Sequence, residues 1–407
     1  MILHHYQKKN KVKIIRVIVF LLFVQSGWLS TEAQNIPGTL SDRIQISIIT
    51  VGPAAPLYTA FGHSAIRLQD PKRGIDIVYN YGTYDFESDG FYWEFARGDL
   101  RYFLSKTSFE TFERANRQLG RSIREQVLNL EVGQVRGFVR ELEKQLLPEN
   151  RYYPYKFFNN NCVTKIRDLL VEQGILRPPQ FNATSSATYR QLLEPYLASK
   201  PWTSLGVNLL LGPAADQPIN AWQQQFLPNQ LWQSLASAHV LFTDQPIVGE
   251  TNKISKASVT TTSSVWVQPV FVFWILFAGV AVITWQNVMS GGNSFWVDRI
   301  LFGGTGLLGI VLLFLWMGSQ HVPLQNNWNL LWALPTHLVI AFGVYQRYRT
   351  KWFEYYLWLS LLSNTIVLAG WNVIPQQFPS AAFPIVLAME LRLAFMLFKK
   401  QELEFLA

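Results

Sequence analysis

The sequence predicts an α+β extracytoplasmic domain followed by a five-helix transmembrane bundle. Three observations predict it. Apolar residues concentrate after Val265 in stretches that approach the roughly 20 residues needed to span a bilayer. Short runs in the first half alternate apolar and polar residues with the period of a strand. The chain opens on a lysine cluster, a short apolar run and small residues, the layout of an export signal.

Composition agrees with this division. The 407 residues are long enough for two folded units, and 49% are hydrophobic against only 15% charged, a balance that points to a membrane. The net charge of +8 is dispersed, with clusters beside apolar segments. There is no basic stripe with regular aromatic interleaving, so nucleic acid is not expected as a partner. Cys162 is the one cysteine, so no internal disulfide can form. A lone thiol in an oxidising compartment has to be buried or useful.

Residues 1–33 read as the signal segment. Lys8, Lys9, Lys11, Lys13 and Arg16 precede the apolar run Val17 to Val24, and Thr31-Glu32-Ala33 supplies the small residues of a cleavage site. Residues 34–250 read as the globular domain. Ile44, Ile46 and Ile48 alternate, as do Ser64, Ile66 and Leu68. Asp70-Pro71-Lys72-Arg73-Gly74 makes a turn, and Ile75, Ile77, Tyr79 and Tyr81 alternate beyond it, which predicts a hairpin. Helices are expected over 133–147 and 162–173. Residues 251–264, rich in Ser, Thr and Lys, read as a linker.

Residues 265–400 carry the expected spans at about 265–285, 299–318, 328–346, 353–371 and 380–398. The segment 346–351 and Lys399-Lys400 are basic, whereas 319–327 and 372–379 contain no Lys or Arg. The positive-inside rule puts the basic loop and the C-terminus in the cytoplasm and the globular domain outside. Glu390, Arg392 and His337 fall inside spans, where ionisable groups face the bundle interior or snorkel; a Glu390–Arg392 contact is the structural expectation. Asn326-Asn327-Trp328-Asn329, with Trp332, forms a polar, aromatic patch at the outer edge.

The chemistry centres on Cys162. It follows Asn159-Asn160-Asn161 and opens a helix whose apolar face is Val163, Ile166, Leu169 and Leu170. A thiol in the first turn meets the positive end of the helix dipole, which favours the thiolate. Free backbone N–H groups there can stabilise an oxyanion. An inert buried cysteine is the alternative. His63, in Phe61-Gly62-His63-Ser64-Ala65 at the start of the hairpin, is the candidate base. The hairpin turn brings it opposite Asn80 or Tyr81, and Asn80 could fix the imidazole tautomer. Scattered histidines and one cysteine give no zinc spacing, and no metal or cofactor is expected. The aromatic runs 91–95 and 100–104 either pack the core or line an acyl chain.

Phe61-Gly62-His63-Ser64-Ala65, Tyr79-Asn80-Tyr81-Gly82, and the run Tyr155 to Cys162 with Thr164 and Ile166-Arg167-Asp168 resemble the Lnb family of bacterial lipoprotein N-acyltransferases. The His-before-Cys order also resembles permuted papain-like enzymes of the NlpC type. The resemblance implies a permuted papain-like domain in the periplasm, docked on a five-helix bundle in the bacterial inner membrane. It implies His63 as base and Cys162 as nucleophile. For the third residue Asn80 stands against Tyr81 and Asp85. Tyr81, Tyr155, Asn161 and Asn327 stand as substrate-binding candidates. The implied partners are a membrane phospholipid donor and a diacylglyceryl lipoprotein acceptor. A membrane-tethered papain-like cysteine hydrolase, acting on cell-wall peptides or amides, shares the same site, and a sensor with a degenerate site is a third reading.

Overall fold

The computed structural model describes residues 40–84, 90–177, 184–241, 244–257, 268–343 and 350–405. The expected signal segment and Asp85 lie outside them.

The alternating runs become strands. β1 (Gln45–Val51), β2 (His63–Asp70) and β3 (Ile75–Thr83) are followed by helix α1 (Phe91–Arg97) and β4 (Arg101–Ser108). Then come α2 (Phe109–Gln118), β5 (Ile123–Leu128), α3 (Val132–Gln145), β6 (Tyr152–Pro154) and α4 (Cys162–Glu172). The pair β7 (Thr184–Thr188) and β8 (Pro218–Asn220) encloses α5 (Tyr189–Leu197) and α6 (Pro201–Leu210). After them come α7 (Ala221–Gln224), α8 (Pro228–Ser237) and β9 (Val248–Ser255). The main sheet runs β6-β4-β3-β2-β1-β5-β9, with antiparallel neighbours throughout.

β1 is buried on both faces, because helices cover both. Ile46, Ile48, Ile66, Leu68 and Ile77 pack beneath Phe138 of α3 and Ile166 of α4. Ile49, Val51, Ala65 and Val78 face Phe109 and Phe112 of α2. Leu100, Tyr102 and Leu104 join the first core, whereas Trp93 and Phe95 are exposed. β9 pairs with β5 as far as Ser255, so residues 251–255 belong to the sheet rather than to the linker. Its polar sequence is that of an exposed edge strand.

The sheet end that carries His63 meets the bundle. Helices α9 (Pro269–Ser290) and α10 (Phe295–Gly318) come first there. Trp93 of α1 packs on Phe314, the Gln320 N–H donates to the Arg97 carbonyl (2.7 Å), and Gln320 also bonds Asp99. On the other side, Asn327 Nδ2 donates to the carbonyls of Leu209 (2.8 Å) and Leu210 (2.9 Å) at the end of α6.

The expected third span is interrupted. A short 3-10 turn, Trp328–Leu331, leads through a non-helical stretch to α11 (His337–Gly343). Pro335 cannot donate to a helical ladder, and glycines of α10 make room for this stretch: a Cβ at Gly309 would lie 2.1 Å from the Ala333 carbonyl oxygen. Next come α12 (Lys351–Ala369) and α13 (Phe383–Phe405). Among the described residues three helical segments are long and apolar enough to cross a membrane: Pro269–Ser290, Phe295–Gly318 and Ser380–Phe398. The described C-terminal part is therefore helical with apolar helices, and the expected count of five continuous spans is not reproduced in it. Arg392 does not pair with Glu390. Its guanidinium forks onto Asp298 of α10 at 2.6 and 2.8 Å and reaches Thr284 at 3.1 Å, while Glu390 accepts from Thr365.

Candidate active site

Asn161 ends the loop and begins α4. Its Oδ1 accepts from the Val163 and Thr164 N–H groups (2.8 and 2.9 Å), while Thr164 Oγ1 accepts from the Asn161 N–H (2.8 Å), a reciprocal cap. This places the half-buried Cys162 thiol in the first turn, at the positive helix end.

His63 is the first residue of β2, and Val51↔His63 and Ile66↔Tyr79 set its level in the sheet. Continuing the β2–β3 register places Gly82 directly across from His63, with Asn80 on the diagonal. His63 Nε2 meets Asn80 Oδ1 at 2.5 Å. Asn80 Nδ2 donates to Thr83 Oγ1 (3.3 Å), which fixes the amide with its oxygen toward the imidazole. Nε2 is then the protonated nitrogen, and Nδ1 is left for the thiol, with which His63 is hydrogen-bonded.

Gly82 completes the contact. Its φ of +92° is a left-handed conformation that suits glycine, and a Cβ there would lie 3.6 Å from Cys162 Cβ and 3.8 Å from His63 Cε1. Burial pushes the Cys162 thiol up. The His63 charge, its hydrogen bond and the backbone N–H groups of Ser64 and Val163 outweigh that and hold the thiol below its ordinary pKa.

Tyr102, Tyr153 and Tyr155 lie within reach of the sulfur's charge. Tyr102 stacks on Tyr155 with ring centroids 4.1 Å apart, and Tyr84 leans on Tyr102 at 4.9 Å. Burial, then the nearby thiolate, pushes Tyr102 up to about 12 and Tyr153 and Tyr155 well above the ordinary range. These three phenols stay protonated near neutral pH and supply neutral donors. Arg121 is a buried cation near the same centre. Its Nε donates to the Gly52 carbonyl (2.8 Å) and its Nη1 to Asn116 (3.0 Å), and burial lowers it to about 10. Tyr102 falls in the aromatic run 100–104 that the sequence offers for core or acyl-chain contact, whereas Arg121 and Tyr153 are not expected from the sequence. Their signal is spatial, since β4, β6 and the turn before β5 deliver them from separate stretches of chain.

The structure thus brings His63, Asn80, Cys162 and Tyr155 together. It uses three other candidates elsewhere. Tyr81 points into the core, where its hydroxyl donates to Gln145 (2.5 Å). Asn161 spends its amide on the helix cap and on the Phe157 and Phe226 carbonyls (2.7 and 2.9 Å), so it is a structural residue. Asn327 is buried, holds α6 through its Nδ2 and accepts from Asn329 and Gln376 through its Oδ1. Among the described residues no group of three or more His, Cys, Asp or Glu side chains is placed to hold a metal.

An activated thiol, an oriented imidazole and helix N–H groups form the constellation used for acyl transfer through a thioester. Neither the curated proteins nor the solved structures compared with this chain contain a match. Two family models do match: the Lnb N-terminal periplasmic domain over residues 39–195 and the Lnb transmembrane domain over residues 260–403. With both halves matched in order, the chain belongs to the Lnb family: a membrane protein with a periplasmic N-terminal domain.

Proposed function

We propose that this protein is a lipoprotein N-acyltransferase of the bacterial inner membrane, several of whose helices cross the bilayer. The observation that carries the reading is His63 held by Asn80 against a thiol at the start of α4. His63 Nδ1 takes the thiol proton, and the thiolate attacks an ester carbonyl of a membrane phospholipid. The tetrahedral oxyanion faces the N-terminal amides of α4. The intermediate collapses to a Cys162 thioester, and His63 returns its proton to the departing lysophospholipid alkoxide. In the second half, His63 takes a proton from the α-amino group of the acceptor's diacylglyceryl cysteine as that nitrogen attacks the thioester. An amide forms, and the proton goes back to the Cys162 sulfur.

Tyr155, beside the sulfur, is the remaining substrate-contact candidate. The docking of the site end of the sheet on the bundle favours a lipid donor over a cell-wall peptide. The test is mass spectrometry of purified protein given phospholipid without acceptor. Cys162 should gain one fatty acyl chain that hydroxylamine removes, and Cys162→Ser should gain none. An unchanged mass during active turnover would refute the acyl-enzyme.

A further inference from the structure

The periplasmic domain carries two tryptophans against the bundle, on different helices. Trp93 of α1 packs on Phe314, four residues before the end of α10 at Gly318. Trp202 of α6 packs edge-on against Phe273, four residues after the start of α9 at Pro269. Those offsets place both contacts about 6 Å inside the helix ends on the domain side. α9 and α10, with 22 and 24 residues, are about 33 and 36 Å long. A hydrocarbon core of about 30 Å therefore ends within their terminal turns, at the depth where tryptophan rings settle.

The segments carrying these rings suit that depth. α6 has no charged residue, none of its residues is fully buried, and Trp202 is 45% exposed. Trp93 and Phe95 of α1 are 57% and 52% exposed. Lys200, just before α6, donates to the Ala54 carbonyl (2.5 Å) and so ties α6 to the β1–β2 loop, which exposes Leu57 and Tyr58. That loop ends at His63. α9 and α10, which these segments meet, expose apolar flanks of their own, among them Ile275 and Ile310.

We propose that α1, α6 and the β1–β2 loop lie in the outer leaflet and form an apolar threshold across which a lipid acyl chain passes to Cys162. The occupant of this surface is the bilayer itself. The proposal deepens the acyltransferase reading by giving the donor's route, and it rests on that reading only for what crosses the threshold.

The test uses the full chain in lipid nanodiscs. Cys162→Ser removes the only thiol, and Leu57→Cys, Phe95→Cys or Leu205→Cys then carries a single nitroxide. Lys72→Cys is the aqueous control. It sits at the far tip of the β2–β3 hairpin, about 27 Å from His63 along an eight-residue strand. Power saturation should show the first three labels relaxed by oxygen more than by a nickel chelate, and the Lys72 label the reverse. Labels at Leu57 and Leu205 as open to the chelate as the one at Lys72 would overturn the proposal. In the Cys162 background, Leu57→Asp with Tyr58→Asp should lower acyl loading from vesicles about tenfold, the cost of losing one buried apolar side chain. Alkylation of Cys162 by iodoacetamide should be unchanged. Embedded labels in a protein that never acquires an acyl chain would uphold the membrane contact and reject the acyltransferase reading.

Discussion

Replacing Asn161 separates a capping role from a substrate-binding one. In Asn161→Ala the Val163 and Thr164 N–H groups lose their acceptor, and the Phe157 and Phe226 carbonyls lose their donor. Loss of an N-cap costs about 1 kcal/mol. Each buried carbonyl left without its donor costs about 1–3 kcal/mol, less where water reaches it. The losses share one side chain and do not add fully, so about 3 kcal/mol is expected. For a domain of this size that lowers the melting temperature by about 6–12 °C. Asn161→Asp keeps the acceptor for both N–H groups but turns a carboxylate oxygen toward the two carbonyls, so it should lose a comparable amount despite its good capping residue. The assay is thermal unfolding of the detergent-solubilised protein, with iodoacetamide alkylation of Cys162 measured below the transition. A melting temperature within about 2 °C of the parent, the range of a surface substitution, would refute the capping argument. Weakened lipid binding with that unchanged melting would return Asn161 to the substrate site.

Three further outcomes are expected. The pH profile of Cys162 alkylation should have its midpoint below the ordinary thiol value of about 8.5. His63→Ala, which removes the charge and hydrogen bond that lower it and leaves the burial that raises it, should move the midpoint above that value. Asn80→Ala should slow acyl loading about tenfold to a hundredfold by freeing the imidazole tautomer, with the melting temperature nearly unchanged; a loading rate equal to the parent's would remove Asn80 from the site. Arg392→Met alone should destabilise the bundle by about 3–5 kcal/mol, because the Asp298 carboxylate stays behind without its guanidinium. Adding Asp298→Leu should restore most of that in a denaturant titration, and a double variant weaker than the single would show that the pair is not the cause.

Local pattern carried a large part of the fold into the sequence. Ile46 and Ile48, Ile66 and Leu68, and Ile77 and Tyr79 alternate because one face of each strand lies under α3 and α4. The turn after Asp70 and the Asn161 cap depend on a few adjacent residues and are legible for that reason. β9 was hidden because an edge strand with a solvated face has no need of apolar alternation. In the site, Cys162 and His63 stand out by chemistry and by position at an element's start. Asn80 is legible as a hairpin neighbour, although the register puts it diagonal to His63 and Gly82 directly across. Tyr81 fails as a site residue because successive strand residues point to opposite faces. Asn161 and Asn327 are expected to bind substrate, and sequence cannot reveal that their hydrogen bonds are already spent on backbone carbonyls. The partner of Arg392 is 94 residues away, and no local pattern selects Asp298 over Glu390.

The interrupted segment after Trp328 has a consequence for how the chain is threaded. α10 ends beside the periplasmic domain, where Gln320 meets Arg97, and Trp328 is still on that side, bonded through its N–H to Gln376. Gln376 and Gln377 follow α12, and the Gln377 N–H donates to Asp216 of the same domain. α12 therefore finishes where α10 finished, and its 19 residues begin about 28 Å away. Between Leu331 and Lys351 the described helix is α11, His337–Gly343. A tally of long apolar helices among the described residues, α12 included, leaves the stretch after Trp328 out of account. That stretch is nonetheless bedded on α10, its Ala333 carbonyl oxygen and Leu338 N–H lying over Gly309 and Gly306.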